Sequence, residues 1–166
     1  MTPATIRVEP AVRVEPEDAL RLMATSPWTD LDYGPADIEA VAASSAGANV
    51  LVARDDRQVV GFTISSAGFL LGEYLRVIAV DRECRRAGVG RLLLAELERR
   101  AFERVPNVYL CVSDFNADAR AFYSRLGYEE VGMLRDLLLP GKGEVLMRKS
   151  IAAWRSFGPT GDRVRR

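Results

Sequence analysis

The sequence predicts an α/β fold: one domain with a mixed antiparallel and parallel central sheet flanked by helices. Three observations carry this. Asn49–Arg54 and Gln58–Ile64 are strand-like runs joined by Asp55, Asp56 and Arg57, which reads as an antiparallel hairpin. Tyr74–Val80 is an apolar run of strand length, followed by a helix with Val89, Leu93, Leu97 and Ala101 at intervals of four. A further strand, Val108–Val112, completes a strand–helix–strand order of the length that closes as a right-handed parallel crossover.

In chain order, residues 1–10 contain two prolines and no sustained period, and are expected to be a flexible lead-in. Ala11–Val14 suits a short strand. Pro16 is tolerated in a first helical turn, and Ala19, Leu20, Leu22 and Met23 give that helix an apolar side. Turn signals at Ser26–Thr29 and Tyr33–Pro35 separate it from a second helix, Ala36 to Ser44. Ser65–Gly72 reads as a longer turn, and the continuous apolar character of Tyr74–Val80 predicts a central strand buried on both faces. Pro106 ends the long helix. Ala119, Phe122 and Leu126 mark one face of the next, which Gly127 terminates. Glu129–Leu139 and Glu144–Ile151 complete the sheet around Pro140–Gly143, and 152–166 is a basic tail ending in Arg163, Arg165 and Arg166. The domain proper is therefore expected over 11–151.

The 166 residues carry 23 basic and 23 acidic side chains, so no electrostatic argument favours nucleic acid or an acidic membrane as partner. No stretch of about 18 apolar residues and no basic-then-apolar leader is present, so neither a membrane span nor a signal peptide is expected. Cys84 and Cys111 form no zinc or disulfide pattern, and no metal site is expected; two lone cysteines fit a reducing cytoplasm. The chain has no histidine, so any proton acceptor must be a carboxylate, Tyr, Cys, a backbone carbonyl or water.

The most informative stretch is the loop between the central strand and its helix, Arg85-Arg86-Ala87-Gly88-Val89-Gly90-Arg91. The first turn of a helix has N–H groups without intrahelical partners and carries partial positive charge, a ready anion site. Gly88 and Gly90 remove Cβ atoms from the approach to the backbone and permit φ > 0, while Arg82, Arg85, Arg86 and Arg91 surround the loop.

Strand, Arg-x-x-Gly-x-Gly and helix together resemble the coenzyme A loop of the GNAT superfamily of N-acetyltransferases. The resemblance continues in Asn116-Ala-Asp-Ala-Arg-Ala-Phe-Tyr123-Ser-Arg-Leu-Gly127-Tyr128, which is similar to that superfamily's second signature. In motif style the chain is similar to the ribosomal-protein alanine N-acetyltransferases. The resemblance implies acetyl-CoA as cofactor and direct transfer of its acetyl group to a primary amine, of a small molecule or of a protein or peptide, in a ternary complex. It implies backbone contacts to the pantetheine arm from Ile78, Ala79 and Val80, and places Arg85, Arg86, Ala87, Gly88, Val89, Gly90 and Arg91 at the cofactor, with the amides from Arg86 to Arg91 on the pyrophosphate. Asn116 would both cap the helix that follows and reach the pantetheine amide. Tyr123 would line the thiol and act as general acid. Trp28 and Tyr33 are either acceptor contacts or a plug between the first two helices. A homodimer is a further expectation, with Leu137–Leu139 as a contact if exposed.

The general base is left open. Cys111 takes the place of the Glu that the alanine acetyltransferases carry on that strand. Glu73 is the nearest substitute on the central strand but one residue out of register, which turns a side chain to the opposite face. Tyr33, Glu144 and a water chain are the alternatives. A non-catalytic acyl-CoA-binding sensor is the alternative to an enzyme.

Overall fold

The structure, a computed structural model, describes residues 5–158. In order these are β1 (Arg7–Ala11), α1 (Pro16–Leu22), α2 (Pro35–Ala43), β2 (Asn49–Arg54), β3 (Val59–Phe69), β4 (Gly72–Val80), α3 (Val89–Ala101), β5 (Asn107–Ser113), α4 (Ala117–Arg125), β6 (Glu129–Arg135) and β7 (Gly143–Ser150). The strands form one seven-stranded mixed sheet in the order β1-β2-β3-β4-β5-β7-β6. Packing divides the chain into two compact units, Met1–Ser65 with Arg76–Leu97 and Ser66–Leu75 with Glu98–Arg166.

In the first unit, β1, β2 and the start of β3 pair antiparallel, with Val50 opposite Ile64 and Val52 opposite Phe62. These four side chains join Ala19, Leu22 and Met23 of the α1 segment and Ile38 and Ala42 of α2 in one buried cluster. The lead-in expected over 1–10 is corrected where it is described: Arg7–Pro10 belong to β1, and the strand stops at Ala11 rather than running to Val14. Pro10 is tolerated because β1 is an edge strand, where a missing N–H disturbs no second neighbour. Gly61 leaves no room for a side chain beneath α3: a Cβ there would lie 3.0 Å from the Ala79 carbonyl and 3.1 Å from Leu93.

In the second unit β4 and β5 pair in parallel over Gly72–Leu75 and Asn107–Leu110, as the crossover predicts. β7 then pairs antiparallel with both β5 and β6, leaving β6 at the edge. Val131, Met133, Leu134, Leu137 and Leu138 are exposed along β6 and the turn after it. The tail arginines Arg163, Arg165 and Arg166 lie outside the described residues.

Two expectations fail for physical reasons. Ser65–Gly72 is not a long turn, because β3 continues to Phe69 and only Leu70 and Leu71 connect it to β4. Both have positive φ, 43° and 61°, the conformation that a tight two-residue hairpin requires of its central pair. Two leucines conceal such a turn from sequence reading. Tyr109 Oη and Asn107 Nδ2 hold it by donating to the carbonyls of Leu70 and Leu71, each at 3.2 Å. A left-handed conformation costs an ordinary residue roughly 1–2 kcal/mol. We expect Leu70→Asn with Leu71→Gly to raise stability by about 1 kcal/mol in urea denaturation, since both leucines are exposed.

The second failure concerns β4, which is not buried on both faces. Glu73, Leu75, Val77 and Ala79 are buried, whereas Tyr74, Arg76, Ile78 and Val80 between them are partly or fully exposed. Hydrophobicity alone did not separate the two sets.

Candidate functional site

The loop after β4 is held from behind. Asp81 Oδ1 accepts the Glu83 N–H at 2.9 Å, starting a short 3-10 turn over Arg82–Cys84. The other oxygen, Asp81 Oδ2, takes Arg21 Nη1 from α1 at 3.0 Å, and Arg21 also donates to Asp18 and to the Val59 carbonyl. Arg85 folds back: its Nε donates to the Val80 carbonyl at 3.3 Å and its Nη2 to Thr25 Oγ1 at 2.7 Å. Thus Arg85, though exposed like Arg82, Arg86 and Arg91, ties the loop back to the end of β4 and to Thr25.

α3 begins with an open end. Its first backbone bond runs from Leu92 N to the Gly88 carbonyl at 3.0 Å, and among the described residues no backbone or side-chain acceptor serves the N–H groups of Val89, Gly90 and Arg91. Gly88 has φ +86° and no atom within 4 Å of where a Cβ would stand, so the approach to these donors is clear. Arg86, at φ 69°, shares the left-handed turn. Gly90 does not: it lies in the first turn of α3, where its lack of a side chain keeps the approach open rather than permitting a turn. Free N–H groups, an uncapped helix start and exposed guanidinium groups form a site that fits a polyanion such as a pyrophosphate. Ile78, Ala79 and Val80 end β4 immediately before it.

In the second unit, Asn116 caps α4. Its Oδ1 accepts the Ala119 N–H at 3.1 Å, which leaves Nδ2 as a donor. Tyr123 takes the most buried place on α4, 6 % exposed, with Phe122 and Tyr128 packed edge-on at ring separations of 5.2 and 5.7 Å. Among the described residues no hydrogen-bond partner serves its hydroxyl. Burial pushes the phenol well above the ordinary tyrosine value, so it holds its proton throughout the neutral range. The helix ends in a left-handed Gly127, and the Tyr128 N–H closes the terminus on the Tyr123 carbonyl at 3.1 Å.

Glu73 does not carry forward as a base. Its side chain is 2 % exposed and pairs with Arg104 Nη2 at 3.4 Å, and the alternation of β4 turns it away from Tyr74. Along its pairing with β5, from Gly72 to Leu75, β4 keeps a regular register. We expect Glu73→Gln to leave turnover within about threefold, well short of the loss that follows removal of a proton acceptor. Arg104→Ala should lower stability by about 1 kcal/mol, a modest figure because the guanidinium is half exposed. Trp28 and Tyr33 pack on each other edge-on at 5.6 Å and against the core of the first unit, each partly buried.

Sequence reading missed Ser113. Its Oγ donates to Glu144 Oε1 at 2.7 Å within the sheet, a pairing set by the β5–β7 register. The order of β7 and β6 in the sheet brings these two together, and no local pattern encodes that order. Cys111 is partly buried; burial raises its thiol pKa, Tyr74 offsets this through a hydrogen bond, and Glu144 adds to it. Such a thiol stays protonated and is a poor nucleophile.

A family model described as acetyltransferase (GNAT) family matches residues 15–128. An uncharacterized N-acetyltransferase of Methanocaldococcus jannaschii is 35% identical over 100 residues, 59% of this chain; the match spans 64% of that relative's length. Among solved structures, the ribosomal-protein alanine N-acetyltransferase of Escherichia coli superposes with a TM-score of 0.71 at 24% identity, covering 90% of this chain and 97% of the other. An aminoglycoside 6'-N-acetyltransferase complexed with coenzyme A gives 0.70 at 21% identity, covering 89% and 98%. At these identities the structural likeness is one of fold.

Proposed function

Because the chain belongs to the acetyltransferase (GNAT) family, we propose that it transfers the acetyl group of acetyl-CoA directly to a primary amine. The observation that carries this reading is the open start of α3, with three unpaired N–H groups behind a left-handed Gly88. Arg86 to Arg91 hold the pyrophosphate through backbone amides, with Arg82, Arg86 and Arg91 supplying positive charge, while Arg85 keeps the loop in shape. In the first unit the backbone of Ile78 to Val80 is assigned to the pantetheine arm; in the second, the free Nδ2 of Asn116 is assigned to a pantetheine amide. When bound, acetyl-CoA supplies an activated acyl group and a thiolate leaving group. Tyr123 donates its proton to the departing sulfur, a role for which a neutral, unpartnered phenol is suited.

Both compared acetyltransferases act on amines, one on a ribosomal protein and one on an aminoglycoside, so the acceptor class stays open between peptide and small molecule. The test is thiol release from acetyl-CoA by the purified protein against a panel of N-terminal peptides, lysine, polyamines and aminoglycosides. Amine-dependent release supports transfer. Saturable acetyl-CoA binding without release on any amine would point instead to a sensing module.

A further inference from the structure

An amine that is cationic in water must lose a proton before its lone pair can attack an acyl carbon, so a transferase needs a group to receive that proton. The chain has no histidine. Among the described residues the buried acids are Glu73 and Glu144, and Glu73 is committed to Arg104. Glu144, near the start of β7, is 4 % exposed. It stands opposite Ser113 on β5 and Leu134 on β6, and two residues further along the same strand face Cys111 stands opposite Leu146.

The surroundings place this carboxylate at the foot of α4. Ser113 Oγ donates to Glu144 at 2.7 Å, and the Ser113 carbonyl accepts the N–H of Asn116 at 2.9 Å. Gly143 and Asp114 pair through two further bonds, Asp114 N to the Gly143 carbonyl at 2.8 Å and Gly143 N to Asp114 Oδ2 at 3.0 Å. The charged group that acts on Glu144 is Asp114, and the Cys111 thiol on β5, hydrogen-bonded to Tyr74, is its titratable neighbour; Arg135 on β6 stands opposite Gly143, and Lys142 precedes β7. Lys142 is stationed 4.8 Å above the Phe115 ring. Burial, and to a smaller extent Asp114, raise the Glu144 pKa, while the Ser113 hydroxyl restrains the rise.

We infer that Glu144, oriented by Ser113, is the group that takes the proton from the incoming ammonium. The inference rests on the acetyl-transfer reading. One ammonium proton passes to Glu144 and then to water. The freed lone pair forms the new C–N bond as the C–S bond breaks. The sulfur leaves with the bonding pair of the broken C–S bond and takes the Tyr123 proton, and a second proton from nitrogen restores the phenol. The products are an amide, a thiol and one proton released to solvent.

The test has two arms. In the unliganded protein labelled with carbon-13 at the glutamate carboxyls, the Glu144 resonance, identified by its loss in Glu144→Gln, should titrate above the ordinary value of 4.5. In the second arm, Glu144→Gln should keep its thermal midpoint and bind acetyl-CoA within about threefold of wild type, yet lose about 100-fold in kcat/KM for amine-dependent thiol release. It should also lose the acidic limb of the pH profile, where the wild-type rate rises as Glu144 deprotonates, and Glu144→Asp should recover part of the rate. A wild-type rate and profile in Glu144→Gln would overturn the assignment, as would titration at the ordinary value. If the wild type binds acetyl-CoA but releases no thiol with any amine, the transfer reading fails first, and the role of Glu144 falls with it.

Discussion

Gly88→Val will weaken acetyl-CoA binding by about 30-fold or more, because it adds a backbone penalty to a steric one. At φ +86° a β-branched residue is strained, and the loop relieves that strain by rotating the peptide groups that lead into α3. The added methyls also stand where nothing of the protein now lies within 4 Å, the open side from which a phosphate would approach. Stability should fall by only about 1–2 kcal/mol, since the residue is exposed and its Cβ meets no neighbour. Calorimetric titration beside a melting curve separates the two effects. A variant that binds acetyl-CoA as tightly as wild type would remove Gly88 from the anion site.

The second large effect belongs to Tyr123. Tyr123→Phe should cut kcat by about 100-fold while leaving acetyl-CoA affinity within about threefold, because in the proposed mechanism the phenol proton is needed only as the thiolate departs. The fold has no stake in the hydroxyl, which no described residue bonds, so the variant should melt within about 2 °C of wild type. The ring itself is different. It is packed between Phe122 and Tyr128, and Tyr123→Ala would open a cavity costing about 3 kcal/mol or more, which makes phenylalanine the informative replacement. Stopped-flow detection of thiol release with a saturating amine measures the rate. Unchanged kcat in a folded Tyr123→Phe would mean that the proton reaches sulfur by another route.

How legible was this in the sequence? The α3 stripe, the two turn-separated helices at the start and the Gly127 stop were all readable, because each depends on residues within one or two turns of one another, and the order strand, helix, strand was enough for the parallel pairing of β4 and β5. Asn116 was readable as a cap for the same reason. The failures are long-range or involve residues in conformations unusual for their type. Leu70 and Leu71 make a turn that normally calls for Asn and Gly, and the side chains that hold it, Asn107 and Tyr109, come from a strand more than thirty residues away. The sequence places Arg82, Arg85, Arg86 and Arg91 around the loop without separating them, whereas Arg85 is spent on Val80 and Thr25, and Arg21, far upstream, secures Asp81. The carboxylates were separable only with the strand order known. Glu73 and Glu144 look equally exposed in sequence, yet one meets a guanidinium and the other a serine hydroxyl.

The stretch from Arg86 to Arg91 at the start of α3 is the proposed site for the pyrophosphate of coenzyme A. Isothermal titration of the purified protein with acetyl-CoA, with ATP as the control polyanion, tests it most directly. The account predicts saturable one-to-one binding of acetyl-CoA in the range of about 1–100 µM, at least about tenfold tighter than ATP because only acetyl-CoA also engages the pantetheine contacts. No detectable binding of acetyl-CoA at millimolar concentration, from a protein that melts cooperatively, would contradict it.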